Sequence, residues 1–315
     1  GPAFFPEPDG QGDWKRKAPE QSLAGSKRTR EEDDEDISGF MFFLATKKKN
    51  KEVNLRSLSA EEQDLFLKGS DVDEWQSLLD NKAVEVVAPS AAASIRQQYP
   101  ERLMRCRFVR DFRRSEKAIA GRTRPNRAGQ PGFEKAKSRL AALGHLDPDL
   151  PLKMEQLRLA SPTVSPTSVP LVLQTCASEK FPISLADIRT AFLNSEELPA
   201  DRDPVFCELP PGGLPGVAPG SLLLVKKTFY GFNDAPEAWR QRLDKALRSL
   251  GWRPTPQDPC CYVLHADEKG RLLDDARIKG MYREGKTPNL VGVLAVHVDD
   301  LLLGGRGEAY LAANR

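Results

Sequence analysis

The most constraining stretch of the chain is Leu290-Val-Gly-Val-Leu-Ala-Val-His-Val-Asp-Asp-Leu-Leu-Leu-Gly-Gly305. Leu290 to Val296 is apolar and β-prone, long enough for one buried strand. Leu301 to Leu303 reads as a second short strand, stopped by Gly304 and Gly305. Asp299 and Asp300 therefore fall at a hairpin turn inside a hydrophobic sheet. Neighbouring carboxylates repel, and burial raises the cost of ionising either one. A divalent cation with oxygen ligands is the simplest compensation. The alternative is a solvated Asp-Asp turn, since aspartate is common in turns.

The rest of the chain narrows the class. Its 315 residues can hold about two domains. The five cysteines show no CxxC or Cys/His ligand spacing, and the three histidines lie far apart, which argues against zinc. The odd cysteine count fits a reducing compartment, and an intracellular location, cytoplasm or nucleus, is expected. No apolar run reaches membrane-spanning length, so no membrane partner is expected. The net charge of +2 conceals segregation. Residues 1 to about 55 lack periodicity and read as a disordered charged tail. In it, Lys15-Arg-Lys17 and Lys27-Arg-Thr-Arg30 are spaced like a bipartite nuclear signal, followed by the acidic block Glu31 to Asp36. A solvated polyampholyte tail is the simpler reading of that segment.

Order is expected from Ser59-Ala-Glu-Glu62, a capping-box pattern with Leu65 and Phe66 on the buried face. A second helix over Val72 to Asn81 would use Trp75, Leu78 and Leu79, and Val84 to Val87 reads as a strand ended by Pro89. From Ser94 to Leu140 there are 14 Lys or Arg against 4 Asp or Glu. Arg107 to Arg113 and Lys135 to Leu140 read as two basic strands joined by a Pro/Gly-rich tip, a cationic flap suited to phosphate chains. A solvated basic surface is the alternative. Farther on, Ser168 is expected to cap a helix with Leu171, Val172, Thr175 and Cys176 on its apolar face. Phe181 to Asp187 reads as a strand with Asp187 at its end. Val205 to Leu209 reads as a short strand, and Ser221 to Tyr230 as a strand carrying Lys226 and Lys227. Asn233 or Asp234 can cap a helix whose stripe of Trp239, Leu243, Ala246, Leu247 and Leu250 reads as core, ended by Gly251. Cys260 to His265 is a strand, and residues 266 to 289 read as a polar loop or hairpin insertion.

Asp187 at a strand end and Asp299 with Asp300 at a hairpin are 112 positions apart at the nearest pair, so only the fold can unite them. Were their strands neighbours, three acids would converge at one sheet edge. That cluster suits two Mg²⁺ ions and metal-dependent phosphoryl transfer on a nucleic acid.

Four blocks occur in a fixed order: Asp187-Ile-Arg-Thr-Ala-Phe-Leu-Asn194, Thr228-Phe-Tyr-Gly-Phe-Asn-Asp-Ala-Pro-Glu-Ala-Trp239, Asp258-Pro-Cys260 and Val296-His-Val-Asp-Asp300. Together they resemble the reverse transcriptase of copia-type LTR retrotransposons, over roughly residues 72 to 312. The resemblance implies an α+β right-hand polymerase whose antiparallel palm sheet is backed by helices. It would place fingers mainly at 56–162 and 195–228, and palm mainly at 163–194 and 229–315. It implies Asp187, Asp299 and Asp300 as the catalytic and metal-binding acids, with the Ile188 carbonyl as a further metal ligand. Phe192 would sit under the deoxyribose and exclude a 2′-hydroxyl. Gly231 would let the backbone approach template and nucleotide. Lys137 and Arg139 would hold the triphosphate. His297 would stand beside the primer terminus, where the family usually has Tyr.

Two Mg²⁺ ions, with Mn²⁺ as a substitute, are the implied cofactors. An RNA template, a DNA primer, a dNTP and other parts of a parent polyprotein are the implied partners. Ser195 stands where the family usually has Gly. The family's primer-gripping hairpin and thumb would lie beyond this stretch, so a fingers-palm fragment without thumb is expected. The resemblance leaves one alternative, a catalytically decayed relic that only binds nucleic acid.

Overall fold

The computed structural model describes residues 52–127, 129–155 and 161–314. The basic clusters and acidic block of the tail lie outside them. Contact with the folded body begins at once. Glu52 ion-pairs with Arg107, and the Val53 N–H donates to the Arg110 carbonyl at 2.8 Å. The body therefore starts ahead of the boundary expected near residue 55. Helix α1 (Ala60–Asp64) carries the capping box read from its sequence, Ser59 and Glu62 each accepting from the other's N–H. A wide π-type turn, Leu65–Ser70, leads into α2 (Asp71–Asp80). Phe66, Trp75 and Leu78 from this stretch are buried. Strand β1 (Val84–Val87) follows, and Pro89 both ends it and opens α3 (Pro89–Gln98), where its missing N–H is harmless.

The chain continues through β2 (Leu103–Met104), β3 (Cys106–Ser115), β4 (Thr123–Pro125), β5 (Phe133–Ala142) and α4 (Leu150–Glu155). Then come α5 (Ser168–Glu179), β6 (Ile183–Asp187), β7 (Phe206–Glu208), β8 (Leu222–Val225) and α6 (Ala235–Ser249). The last elements are β9 (Arg253–Pro254), β10 (Cys261–Ala266), α7 (Asp275–Arg283), β11 (Asn289–His297), β12 (Asp300–Gly305) and α8 (Glu308–Ala313). The strands form three sheets, in the orders β1-β8-β7-β2, β3-β5-β4 and β6-β12-β11-β10-β9. The fold class is mixed α+β, as expected. The β3-β5 pair runs in unbroken register for its full ten residues. The five-stranded sheet is antiparallel throughout. A shared core of Trp75, Leu78, Phe108, Leu140, Phe229 and Phe232 ties α2, the β3-β5 pair and the 228–235 turn into one packed unit.

Several local expectations need correction, each for a reason of packing. Gly304 and Gly305 do not stop the second strand; they pair with Val293 and Gly292 inside it. A Cβ at Gly304 would meet Cys176 Sγ at 2.2 Å, and one at Gly305 would meet the Tyr310 ring at 2.2 Å. These glycines let α5 and α8 lie directly on the sheet. Thr167, not Ser168, takes the cap position of α5. The buried face of α5 is Val169, Val172 and Cys176, leaving Leu171 67% exposed. The strand expected over 221–230 ends at Val225, because the N–H groups of Lys226 and Lys227 both turn to the Ala83 carbonyl. The polar 266–289 segment contains α7, capped by Asp274, whose side chain accepts from the Arg277 N–H.

One acid in the four motif blocks has a structural task. Asp258 is 6% exposed and accepts from the Ser165 and Cys260 N–H groups, both at 2.9 Å. Burial alone would raise its pKa, but the Ser168 hydroxyl and those two N–H donors outweigh burial and hold it below the ordinary value. It thereby fastens the entry of α5 to the start of β10. Asp258→Ala orphans these donors and is expected to destabilise the fold by about 2–4 kcal/mol, read from chemical denaturation. A change within experimental error would show that water replaces the carboxylate.

Candidate active site

The register of the five-stranded sheet brings the acids together. Asp187 ends β6, Asp300 opens β12, and the two are direct cross-strand partners. Such partners lie about 4.5–5.5 Å apart at Cα. His297 pairs with Asp300, leaving Val298 and Asp299 as a two-residue hairpin loop. Val298 has φ +60° and Asp299 does not share the positive φ, the pattern of a type II′ turn, whose first central position normally takes glycine. A β-branched residue there costs roughly 1–3 kcal/mol. The carbonyls of both loop residues are held from outside the hairpin. Trp239 Nε1–H donates to the Val298 carbonyl at 2.8 Å, and the Ile188 N–H donates to the Asp299 carbonyl at 2.9 Å. The second bond joins the Asp187 segment to the doublet directly.

Electrostatics mark the same spot. Burial, then the charges of Asp299 and Asp187, push the Asp300 carboxyl up to about 6. The sign of the consequence follows from linkage. The folded protein holds this proton more tightly than the unfolded chain, whose aspartates titrate near ~3.9. The favourable contribution is complete below about pH 4 and is lost as the pH rises through about 6. In chelator, the melting midpoint of the wild type is therefore expected to fall relative to Asp300→Asn between pH 4 and 7. A constant difference between the two proteins would contradict the assignment. Burial also lowers the pKa of His297, against the opposing pull of Asp299, which leaves a neutral imidazole at the turn near neutral pH.

Around the acids the 187–195 segment is tightly wound. Asn194 Nδ2 donates to the carbonyls of Arg189 and Thr190, and Thr190 takes φ +54°. Ser195, where glycine was the expected residue, has φ −59° and is unstrained. Phe192 stands edge-on to Tyr230, with ring centroids 5.1 Å apart. Arg139 of β5 lies over the same Tyr230 ring at 5.2 Å. Tyr230 has its pKa raised, first by burial, with Arg139 opposing and Glu74 and Asp299 reinforcing the rise. Tyr230 thus connects the β5 arginine, the Phe192 ring and the acid turn.

Gly231 packs its backbone against β5. At φ +90° its added Cβ would stand 2.0 Å from the Ala142 carbonyl oxygen, so the close approach it permits is to β5. Lys137 is exposed on β5, opposite Asp111, on the same sheet face as Arg139.

The cationic flap is less charged than its composition suggests. Acids of the segment ahead of it reach across: Glu62 to Arg124 and Arg127, Asp71 to Arg110, Asp73 to Arg122, and Glu52 to Arg107. The sequence places these partners 39 to 65 positions apart, so no local charge count could reveal the pairing. Arg139, which reaches the Tyr230 ring, and Lys137 are outside this ion-paired set among the described residues.

The fold therefore unites Asp187, Ile188, His297, Asp299 and Asp300, and brings Phe192 and Arg139 together through Tyr230. Tyr230 and Trp239 were given no site role from sequence, although both lie in the Thr228–Trp239 block. A further signal for Trp239 was its indole, which carries one polar atom, inside an otherwise aliphatic helical stripe. Among the described residues, no three or more His, Cys, Asp or Glu side chains form a ready-made metal cage. Mutually repelling carboxylates do not close on one another alone, and Mg²⁺ is commonly held by one or two carboxylates plus substrate phosphates. The donor set fits a hard divalent cation.

The chain is similar to the Retrovirus-related Pol polyprotein from transposon TNT 1-94 of Nicotiana tabacum, 24% identical over 152 residues, covering 48% of this chain and 10% of that polyprotein. It is similar also to the Retrovirus-related Pol polyprotein from transposon RE1 of Arabidopsis thaliana, 27% identical over 151 residues, covering 48% and 9% respectively. The chain thus spans about a tenth of the length of the curated relatives it matches. No solved structure matches it. The sequence model described as reverse transcriptase (RNA-dependent DNA polymerase) matches residues 130–313, more than half of the chain and every member of the acid cluster. On that match the chain belongs to the reverse transcriptase family.

Proposed function

We propose that this chain is the fingers and palm of an RNA-directed DNA polymerase. The five-stranded sheet serves as palm and the β3-β5-β4 sheet as fingers. The reaction is attack of a primer 3′-hydroxyl on the α-phosphate of a dNTP, releasing pyrophosphate. The carrying observation is the direct pairing of Asp187 with Asp300 next to Asp299, within a chain of this family. Asp187, Asp299, Asp300 and the Ile188 carbonyl would hold two Mg²⁺ ions, or Mn²⁺ in their place. When bound, the ions supply positive charge at the attacking and leaving oxygens.

The chain's own residues do the rest. Arg139 and Lys137 lie on one face of β5 and neutralise the triphosphate. Phe192 closes the space a ribose 2′-hydroxyl would need. Its edge contact with Tyr230 supports that task by limiting the ring's movement. His297, uncharged near neutral pH, offers a hydrogen bond near the primer end. An RNA template, a DNA primer and the remainder of a Pol polyprotein are the partners this reading requires. No described helix is long and apolar enough to cross a membrane.

The test is Mg²⁺-dependent extension of oligo(dT) on poly(rA), compared with Asp299→Asn. Extension by the wild type alone is the expected result. Equal incorporation by both proteins would remove Asp299 from the reaction. Salt-sensitive binding without extension by either would favour a relic that only holds nucleic acid.

A further inference from the structure

The strained loop between the acids points beyond the ligands themselves. Val298 is held at φ +60° in a position that normally takes glycine, and its carbonyl accepts from the indole of Trp239, itself 5% exposed on α6. From the other side Ile188 holds the Asp299 carbonyl. The Ile188 bond depends on β6 remaining at the sheet edge. The Trp239 bond comes from a helix whose apolar stripe of Trp239, Leu243 and Leu247 is buried. The helical clamp is therefore the more rigid of the two. Without it, a valine at positive φ relaxes toward ordinary backbone geometry, and the next two residues to move are Asp299 and Asp300.

We propose that Trp239 is a positioning residue. Its indole N–H holds the Val298 carbonyl, keeps the loop in its strained form, and so presents Asp299 and Asp300 toward Asp187. This assigns the otherwise hydrophobic helix stripe a second task. It rests on the polymerase reading only for its consequence in catalysis; the clamp itself is a property of the loop.

A double-mutant cycle with a backbone readout separates the two. Trp239→Phe keeps a ring in the core and removes the donor. Val298→Gly removes the need for the clamp, since glycine takes positive φ freely. Amide hydrogen exchange is measured on metal-free wild type, both single variants and the double variant, for the 296–301 segment and for β10 as control.

Trp239→Phe is expected to speed exchange of the loop segment about tenfold in the valine background. In the glycine background the increase is expected to stay under about threefold. Strand β10 is expected to be little changed. An equal increase in both backgrounds, no increase at all, or a rise shared by β10 each overturns the clamp. If Trp239→Phe does not fold, Val298→Gly alone decides. A loop in the single variant that exchanges as slowly as wild type and still shows the indole proton protected supports relieved strain; a loop that opens overturns the proposal.

In primer extension, Trp239→Phe should lower kcat with KM for dNTP within about twofold, and Val298→Gly should partly restore it. A wild type without extension activity would sink the polymerase reading and leave the exchange cycle intact. An active enzyme with no coupling in the cycle would sink only the clamp.

Discussion

Asp187→Asn is expected to abolish most Mg²⁺-dependent primer extension, by at least about 10²-fold, and at the same time to stabilise the metal-free protein. Both effects have one cause. Asp187 faces Asp300 across the sheet, and its charge is one of those that push the Asp300 carboxyl up to about 6. Asparagine keeps the shape of the side chain and removes that repulsion. The Asp300 pKa then moves back down, and the stability lost between pH 4 and 7 shrinks. Active sites commonly show this opposition, in which the arrangement needed for chemistry is unfavourable in the resting fold. Extension assays and melting curves in chelator at pH 7 test the pair of effects together. Loss of activity with a lowered melting point would mean that Asp187 holds the sheet edge together and is not merely tolerated there.

The second large effect concerns a residue with no side chain. Gly231→Ala is expected to destabilise the protein by about 3 kcal/mol or more. The new Cβ would stand 2.0 Å from the Ala142 carbonyl oxygen and 2.7 Å from its nitrogen, at φ +90°. The obstructing atoms are backbone, so no rotamer change relieves the clash. The contact is also a bonded one, since the Ala142 N–H donates to the Tyr230 carbonyl at 2.8 Å. Separating β5 from this turn would move Tyr230, and with it the ring that Phe192 and Arg139 share. Denaturant unfolding gives the stability. A loss below about 1 kcal/mol would show that β5 and the turn slide apart easily.

Much of the local architecture is legible in the sequence for simple reasons. The α1 capping box, the strand at Val84–Val87 and the helix with Trp239, Leu243 and Leu247 each follow from a pattern within a few residues. Placing both acid motifs at strand ends also needs only apolar runs and their limits. What failed locally failed where a long-range contact overrode the pattern. Gly304 and Gly305 look like a strand terminus because glycine weakens strands, but α5 and α8 approach so closely that no other residue fits. Ser168 looks like a cap, but Asp258, far along the chain, takes its hydroxyl.

The basic flap shows the same limit in electrostatics. Counting charge over Ser94 to Leu140 yields a strongly cationic segment, and the count is correct. Its meaning changes once Glu52, Glu62, Asp71 and Asp73 are seen to pair with it. The charge left outside these pairs, which includes Arg139 and Lys137, is smaller than the sequence total.

Local patterns and motif order in the sequence were enough to single out the candidate groups: three aspartates, the aromatic Phe192 and the bases Lys137 and Arg139. Tertiary structure alone decided that these groups meet. Strand register sets Asp187 against Asp300, Trp239 and Ile188 fix the loop between the acids, and Gly231 brings β5 to Tyr230. Periodicity and turn chemistry act over a few residues, whereas these contacts join positions tens to more than a hundred residues apart. Such contacts are chosen by the packing of the whole body, which no local stretch encodes.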